Sequence, residues 1–219
     1  MKIKEINRMV VKIGSSLLID KDKGVNNNFL NNISEDILSL KKRGIETLVV
    51  SSGAIELGKI ELDKTKEKFN LAESQAASSI GQIKLINSWK ESLSKFDLNA
   101  AQILITAEDT ENRKRFLNAR STIEELLREK YIPIINENDT VATSEIRYGD
   151  NDRLAARIAG MVAADCLILL SNVEGLYERD PSNEESRLVS NVEIIDKSIT
   201  AVSYTHLRAH ETLRYRGWR

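Results

Sequence analysis

The 219 residues carry 32 basic and 33 acidic side chains, a formal net charge of −1, and 41% of the chain is hydrophobic. This balance produces no long-range field for nucleic acid or a membrane surface, and no apolar run reaches the ~18 residues that a membrane span needs. A single cysteine, Cys166, excludes an intrachain disulfide, so the composition reads as a cytoplasmic globular protein, large enough to bury roughly 70% of its unfolded surface.

Short β-branched runs alternate with longer amphipathic stretches. Residues 9–13 read as a buried strand running into Gly14-Ser15-Ser16. Residues 25–43 place Phe29, Ile33, Ile37, Leu38 and Leu40 at helical spacing and stop at Gly44. Residues 47–50 form the next strand, which empties into Ser51-Ser52-Gly53-Ala54 and opens a short helix. A polar surface loop over 59–70 leads into a helix over 71–96, with Ile80, Ile83, Ile86 and Trp89 on related faces. Next come a strand over 101–105 and a charged amphipathic helix over 110–130 that turns Phe116, Leu117, Ile123, Leu126 and Leu127 inward. A strand over 132–135, a helix over 151–164 and a strand over 167–170 complete the pattern. Cys166 sits in the last of these apolar runs and reads as core.

Strands separated by helices of this length require right-handed crossovers. The expected fold is therefore α/β: an open, mostly parallel sheet with helices on both faces, a three-layer sandwich. No repeat, low-complexity tract or linker interrupts it before about residue 200.

In such a sheet, ligands bind beyond the carboxyl ends of the strands, so the polar sequences there are the candidate sites. Lys12 lies inside an apolar strand, where burial is expensive unless an anion meets it. Gly14 and Ser15 can turn backbone N–H groups toward a phosphate; the alternative is a lysine snorkelling off an edge strand. Ser52 precedes a helix N-terminus suited to a phosphate or carboxylate, or is simply a serine cap. The densest cluster is Asn136-Glu137-Asn138-Asp139-Thr140-Val141 followed by Gly149-Asp150-Asn151-Asp152. There Asp139 can bind an α-ammonium group, Asn151 can position a carboxylate, and Asp152 can orient a lysine. The alternatives are a solvated acidic loop or a calcium loop, and the calcium loop is disfavoured because the twelve-residue spacing and closing glutamate are absent. Ser171-Asn172, in the stretch that ends at Asp180-Pro181, could hold a nucleotide base or ribose. No P-loop, protein-kinase catalytic loop or Cys/His metal spacing occurs in the body of the chain, and no metal site is expected.

In this order, the motifs resemble the amino acid kinase family, and within it the branch that phosphorylates the γ-carboxylate of glutamate. The resemblance spans about residues 7–202 and rests on Val-Val-Lys-Ile-Gly-Ser-Ser at 10–16, Val-Ser-Ser-Gly-Ala at 50–54 and Arg-Phe-Leu-Asn-Ala-Arg at 115–120. It rests further on Ile-Asn-Glu-Asn-Asp-Thr-Val at 135–141, Gly-Asp-Asn-Asp at 149–152 and Glu-Gly-Leu-Tyr at 174–177. The resemblance implies ATP as phosphoryl donor, with Mg²⁺, and L-glutamate as acceptor in the first step of proline synthesis. Lys12 would contact the transferring phosphoryl group, and Gly14 and Ser15 would cradle it. Ser52, Asp139 and Asn151 would hold glutamate, Asp152 would orient the lysine, and Ser171 and Asn172 would line the nucleotide site. The family more often has Thr-Asp where this chain has Ser171-Asn172. A homo-oligomer inhibited by proline is implied as well.

The family pattern continues with a Gly-rich loop ending in a second catalytic lysine, which is not found here. Residues 203–219 instead hold both histidines, His206 and His210, with four arginines and Trp218. The expected organisation is an incomplete kinase domain over 1–202 and a non-native tail over 203–219. The expected consequence is a chain that is inactive or weak as it stands. A non-catalytic amino-acid-binding module and a sister kinase acting on another acid are the alternatives.

Overall fold

Strand β1 (Arg8–Ile13) pairs in parallel with β4 (Glu46–Ser51) on one side and with β7 (Cys166–Leu170) on the other. Beyond β4 lie β6 (Tyr131–Glu137) and then β5 (Asn99–Ile105), so the five-stranded sheet has the order β5-β6-β4-β1-β7. Every pairing in it is parallel, so all strand carboxyl ends emerge at one edge. The computed structural model describes residues 6–20, 23–65, 67–142, 150–178 and 186–193. Gly149, Asp180-Pro181 and the tail over 203–219 lie outside the described residues.

The alternation of side chains along the strands builds two cores. Met9, Val11, Ile13, Val49, Ile132 and Ile134 face one side. There they meet α1 (Ser15–Leu18), α2 (Asn27–Lys42), α3 (Ala54–Glu61) and α4 (Leu71–Ser94) through Leu18, Leu30, Ile37, Leu57, Leu85, Trp89 and Leu93. Val10, Leu48, Val50, Ile105 and Ile135 face the other side, against α6 (Arg113–Arg128) and α7 (Asp150–Met161) through Ile123, Leu127, Leu154, Ile158 and Met161. Each fully buried aliphatic side chain contributes about 1.5–3 kcal/mol, and the sheet draws on both faces. This is the open α/β sandwich expected from the sequence. Cys166 packs against the first core as a half-buried free thiol.

Four local details differ from the sequence reading. A two-stranded antiparallel hairpin, β2 (Ile19–Asp20) with β3 (Gly24–Val25), precedes α2; two residues per strand are too few to show an alternation. The charged helix is split at Asn112, whose side chain accepts from the N–H groups of Lys114 and Arg115 and so starts α6 anew after the short α5 (Ala107–Glu111). Leu117 is 45% exposed rather than inside. Ile80 and Ile83 are exposed at 39% and 65%, because α4 buries Ala77, Ser78, Gly81, Leu85, Trp89 and Leu93 instead.

That choice of face follows from a close helix crossing. A Cβ added at Gly81 would stand 1.9 Å from the Ala54 carbonyl oxygen, and one at Gly58 would stand 1.8 Å from the Ala77 carbonyl oxygen. Helices α3 and α4 therefore touch backbone to backbone, which only glycine permits, and the larger Ile80 and Ile83 are left outside. The crossing anchors the start of α3 at the end of β4.

The chain divides into two compact units, the first holding residues 1–146 and 150–170 and the second 147–149 and 171–219. In the second unit the described residues form a short antiparallel pairing of Tyr177 with Leu188. It is closed by bonds from Glu178 N–H to Arg187 carbonyl at 2.9 Å and from Val189 N–H to Leu176 carbonyl at 2.7 Å.

Candidate functional site

Strand parity places Lys12 on the face of β1 shared with Val10, the face covered by α7. Its position near the end of the strand brings its head to the first turn of α7. There Nζ lies 2.7 Å from Oδ1 of Asp152, with the two side chains 11% and 26% exposed. A lysine so far out of water is tolerable only with such a partner.

The Gly14 N–H does not point to an open site; it donates to the Leu170 carbonyl at 3.1 Å and ties the β1 exit to β7. What Gly14 leaves free is space, since a Cβ there would stand 3.7 Å from Lys12 Nζ. Ser15, at the start of α1, is half-buried.

Ser52 is not a helix cap. The N-cap of α3 is Gly53, at φ +104 and with no side-chain capping bond. A Cβ at Gly53 would also meet Ile19 Cγ1 at 2.8 Å. The Ser52 hydroxyl instead accepts from Asn151 Nδ2 at 2.8 Å, and the same Nδ2 group donates to Asn136 Oδ1 at 3.2 Å. Asn136 donates onward through Nδ2 to Gln82 Oε1 at 2.7 Å. The result is a chain of amides and a hydroxyl from the exit of β4, α7, β6 and α4. Asn151 Oδ1, on the same amide, is buried with no hydrogen-bond partner among the described residues. An acceptor left that way costs about 1–3 kcal/mol unless something donates to it, which fits a ligand-facing group.

Asp139 follows the end of β6, is 7% exposed, and accepts from the Ser78 hydroxyl through Oδ2 at 2.6 Å. The loop around it is joined to α4 at further points: Ser79 Oγ lies 3.1 Å from Thr140 Oγ1, and Gln75 Nε2 donates to the Ala142 carbonyl at 3.1 Å. The Asn138 N–H donates to the Ile105 carbonyl at 3.0 Å, and the Ala107 N–H to Glu137 Oε1 at 3.2 Å. Behind this, the Trp89 indole N–H donates to Ser51 Oγ at 3.0 Å inside the core, at the last residue of β4.

The first unit thus brings together Lys12, Gly14, Ser52, Asp139, Asn151 and Asp152 near the ends of β1, β4 and β6 and at the start of α7. Ser171 and Asn172 open the second unit, where both are exposed and Ser171 Oγ donates to Asn172 Oδ1 at 3.2 Å. The sequence reading had no role for Gln75, Ser78, Ser79 and Gln82. The available signal was their spacing, three, four and seven residues on from Gln75, a polar line on one face of a helix. Among the described residues no three His, Cys, Asp or Glu side chains converge on a common point. No described helix is long and apolar enough to cross a membrane.

At the opposite end of the sheet, Arg8 joins three elements. Its Nε donates to Glu46 at 2.8 Å, and its Nη groups donate to Glu124 at 2.7 and 3.0 Å and to the Val162 carbonyl at 2.7 Å. The hydrogen bond from Arg8 holds the Glu124 carboxyl below its ordinary range, against a smaller opposing effect of burial. Asp165 is lowered as well, first by the Arg8 N–H and then by the Asn7 N–H.

A doubly covered parallel sheet that gathers a paired lysine, a buried aspartate and an amide chain near its strand ends defines an α/β protein with a candidate site there. The chain belongs to the amino acid kinase family, whose model matches residues 7–204. It is similar to the glutamate 5-kinases of Brucella ovis, Brucella canis and Brucella suis, each 51% identical over 203 residues that make up 92% of this chain and 54% of the relative. The chain therefore spans about half the length of the curated relatives it matches. Among solved structures it superposes on isopentenyl phosphate kinase with a TM-score of 0.60 at 16% identity, over 90% of this chain and 83% of the other. That likeness concerns the fold alone.

Proposed function

We propose that this chain carries the acceptor site and the first phosphoryl-contacting lysine of an ATP:L-glutamate 5-phosphotransferase acting in the cytoplasm, in the first step of proline synthesis. The observation that carries the reading is the Lys12–Asp152 pair at 2.7 Å, with the Ser52–Asn151–Asn136 chain held on the same sheet by the neighbouring residue of α7. The 51% identity to proteins named glutamate 5-kinase supports the choice of substrate.

In this reading Asp139 receives the α-ammonium group, and Ser52 and Asn151 hold the rest of glutamate with its γ-carboxylate toward Lys12. That carboxylate is already ionised at pH 7, so attack needs no general base. A carboxylate oxygen bonds to the γ-phosphorus as the bond to the β-phosphate oxygen breaks; ADP leaves and γ-glutamyl phosphate remains. Lys12, steered by Asp152, stabilises negative charge on the transferring group, and positioning supplies the remainder. Ser15 and the space beside Gly14 would accommodate the phosphoryl group, and Ser171 and Asn172 the nucleotide. The described residues form no cage of their own for Mg²⁺, so it enters this proposal only with the phosphates of ATP, and no step is assigned to it. A homo-oligomer and inhibition by proline belong to the same proposal through the family resemblance.

A single-turnover assay with radiolabelled ATP and hydroxylamine, which traps acyl phosphates, tests it. L-glutamate should give γ-glutamyl hydroxamate in low yield, as expected of a weak enzyme, aspartate and N-acetylglutamate should give none, and Lys12→Ala should reduce the product to background. Glutamate binding with no Lys12-dependent product would favour a non-catalytic amino-acid-binding module. Product from another acid would favour a sister kinase.

A further inference from the structure

Helix α4 presents Gln75, Ser78, Ser79 and Gln82 in one polar line, and all four engage the segment 136–142. Gln82 meets Asn136, Ser78 meets Asp139, Ser79 meets Thr140 and Gln75 meets the Ala142 carbonyl, at 2.7, 2.6, 3.1 and 3.1 Å. These partners are 54 to 67 residues apart in sequence, so the line is a tertiary fastening and not a helix-internal device. The same helix fixes the other acceptor-side segment, through Gly81 against Ala54 and Trp89 against Ser51. One rigid helix therefore references both loops to a single frame.

Within that line Ser78 stands apart. It is 3% exposed, its bond to Asp139 is the shortest of the four, and its acceptor is a carboxylate at 7% exposure. A hydroxyl donating to an ionised group is among the stronger hydrogen bonds, and a buried carboxylate needs such donors to stay in place. We infer that Ser78 is a positioning residue for amino-acid recognition: it holds the Asp139 carboxylate in the orientation that reads an α-ammonium group. This deepens the reading of Asp139 given above and rests on it. The selectivity it confers is for amino acids over the corresponding acids lacking the amino group.

The test compares L-glutamate with glutarate, which has both carboxylates and no ammonium, by ligand-observed NMR titration of the full 219-residue chain. Ser78→Ala keeps a small helix-forming side chain at this position. It should weaken L-glutamate about tenfold, the effect of losing one hydrogen bond to a charged group, while glutarate binding stays unchanged. Equal weakening of both ligands would mean that Ser78 merely supports the fold, and no change in either would mean that Asp139 is held without it; both results overturn the inference. Failure of the unmodified chain to bind L-glutamate at all would overturn it together with the proposed function. Retained L-glutamate binding with a null effect of Ser78→Ala would sink the inference alone.

Discussion

Nζ of Lys12 and Oδ1 of Asp152 lie 2.7 Å apart although 140 positions separate them in the chain. A strand interior and the first turn of a distant helix are joined there by one ion pair, and each side chain depends on the other to be out of water. Asp152→Asn keeps the shape and removes the charge. Phosphoryl transfer in the single-turnover assay should fall by about 10²-fold, the scale of one misplaced cationic donor, with L-glutamate affinity unchanged. Lys12→Ala should abolish transfer and also cost about 1–2 kcal/mol in urea denaturation. That is less than for a fully buried pair, because Asp152 keeps partial contact with solvent.

The α3–α4 crossing makes a stability prediction with a functional echo. Gly81→Ala forces a methyl group to within 1.9 Å of the Ala54 carbonyl, a contact that backbone must move to relieve. The expected loss is about 3 kcal/mol or more, read as a lower urea midpoint. L-glutamate binding should weaken with it, because Ala54 follows Ser52 and Gly53 directly. An Ala substitution at Gly160 in α7, where an added Cβ meets nothing within 4 Å, should leave L-glutamate binding unchanged and raise stability by about 0.5–1 kcal/mol at most.

Asn136 receives Asn151 and passes the chain on to Gln82. Asn136→Ala should therefore weaken L-glutamate binding and cost about 1–3 kcal/mol, since two half-buried amides lose a partner. Asn136→Asp keeps an acceptor for Asn151 and should recover part of the glutamate affinity. Calorimetric titration of both variants separates the two outcomes.

Acid should loosen the molecule from the end of the sheet remote from the site. The Glu124 carboxyl is held below its ordinary value of 4.5 by Arg8. A lowered folded-state value means the stabilisation is present above pH 4.5 and is lost as pH falls through the folded value. Melting temperature followed from pH 6 to pH 3 should drop in that lower range, and Glu124→Gln should flatten the drop while lowering the plateau. An unchanged acid limb in Glu124→Gln would assign the acid sensitivity to other carboxylates, such as Asp165 and Asp109. In Asp109, burial pulls upward but the Thr106 N–H and hydroxyl, with Arg115, pull further down.

Much of the architecture was legible because its causes are local. The run Met9–Ile13 reads as a buried strand from its apolar residues alone, and Gly44, the stop expected for the helix over 25–43, follows the C-cap of α2 at φ +78. The motif positions Lys12, Ser52, Asp139, Asn151 and Asp152 were equally legible, because polar residues at the exits of apolar strands stand out against their surroundings. The expectation for Ile80 and Ile83 failed for a stated reason: helical periodicity identifies a stripe, but Gly58 and Gly81 decide which stripe is covered.

Sequence pattern was enough for the order of the main-sheet strands and the helices between them, and for the list of polar residues at the strand exits. Tertiary structure alone decided which of those groups touch, since the Lys12–Asp152 pair, the Ser52–Asn151–Asn136–Gln82 chain and the Ser78–Asp139 bond all join distant segments. It also decided that the Gly14 N–H is committed to Leu170. The physical reason is that propensity and periodicity act over a turn or a strand pair. A buried polar bond is settled only when two elements dock and every donor and acceptor between them must be accounted for.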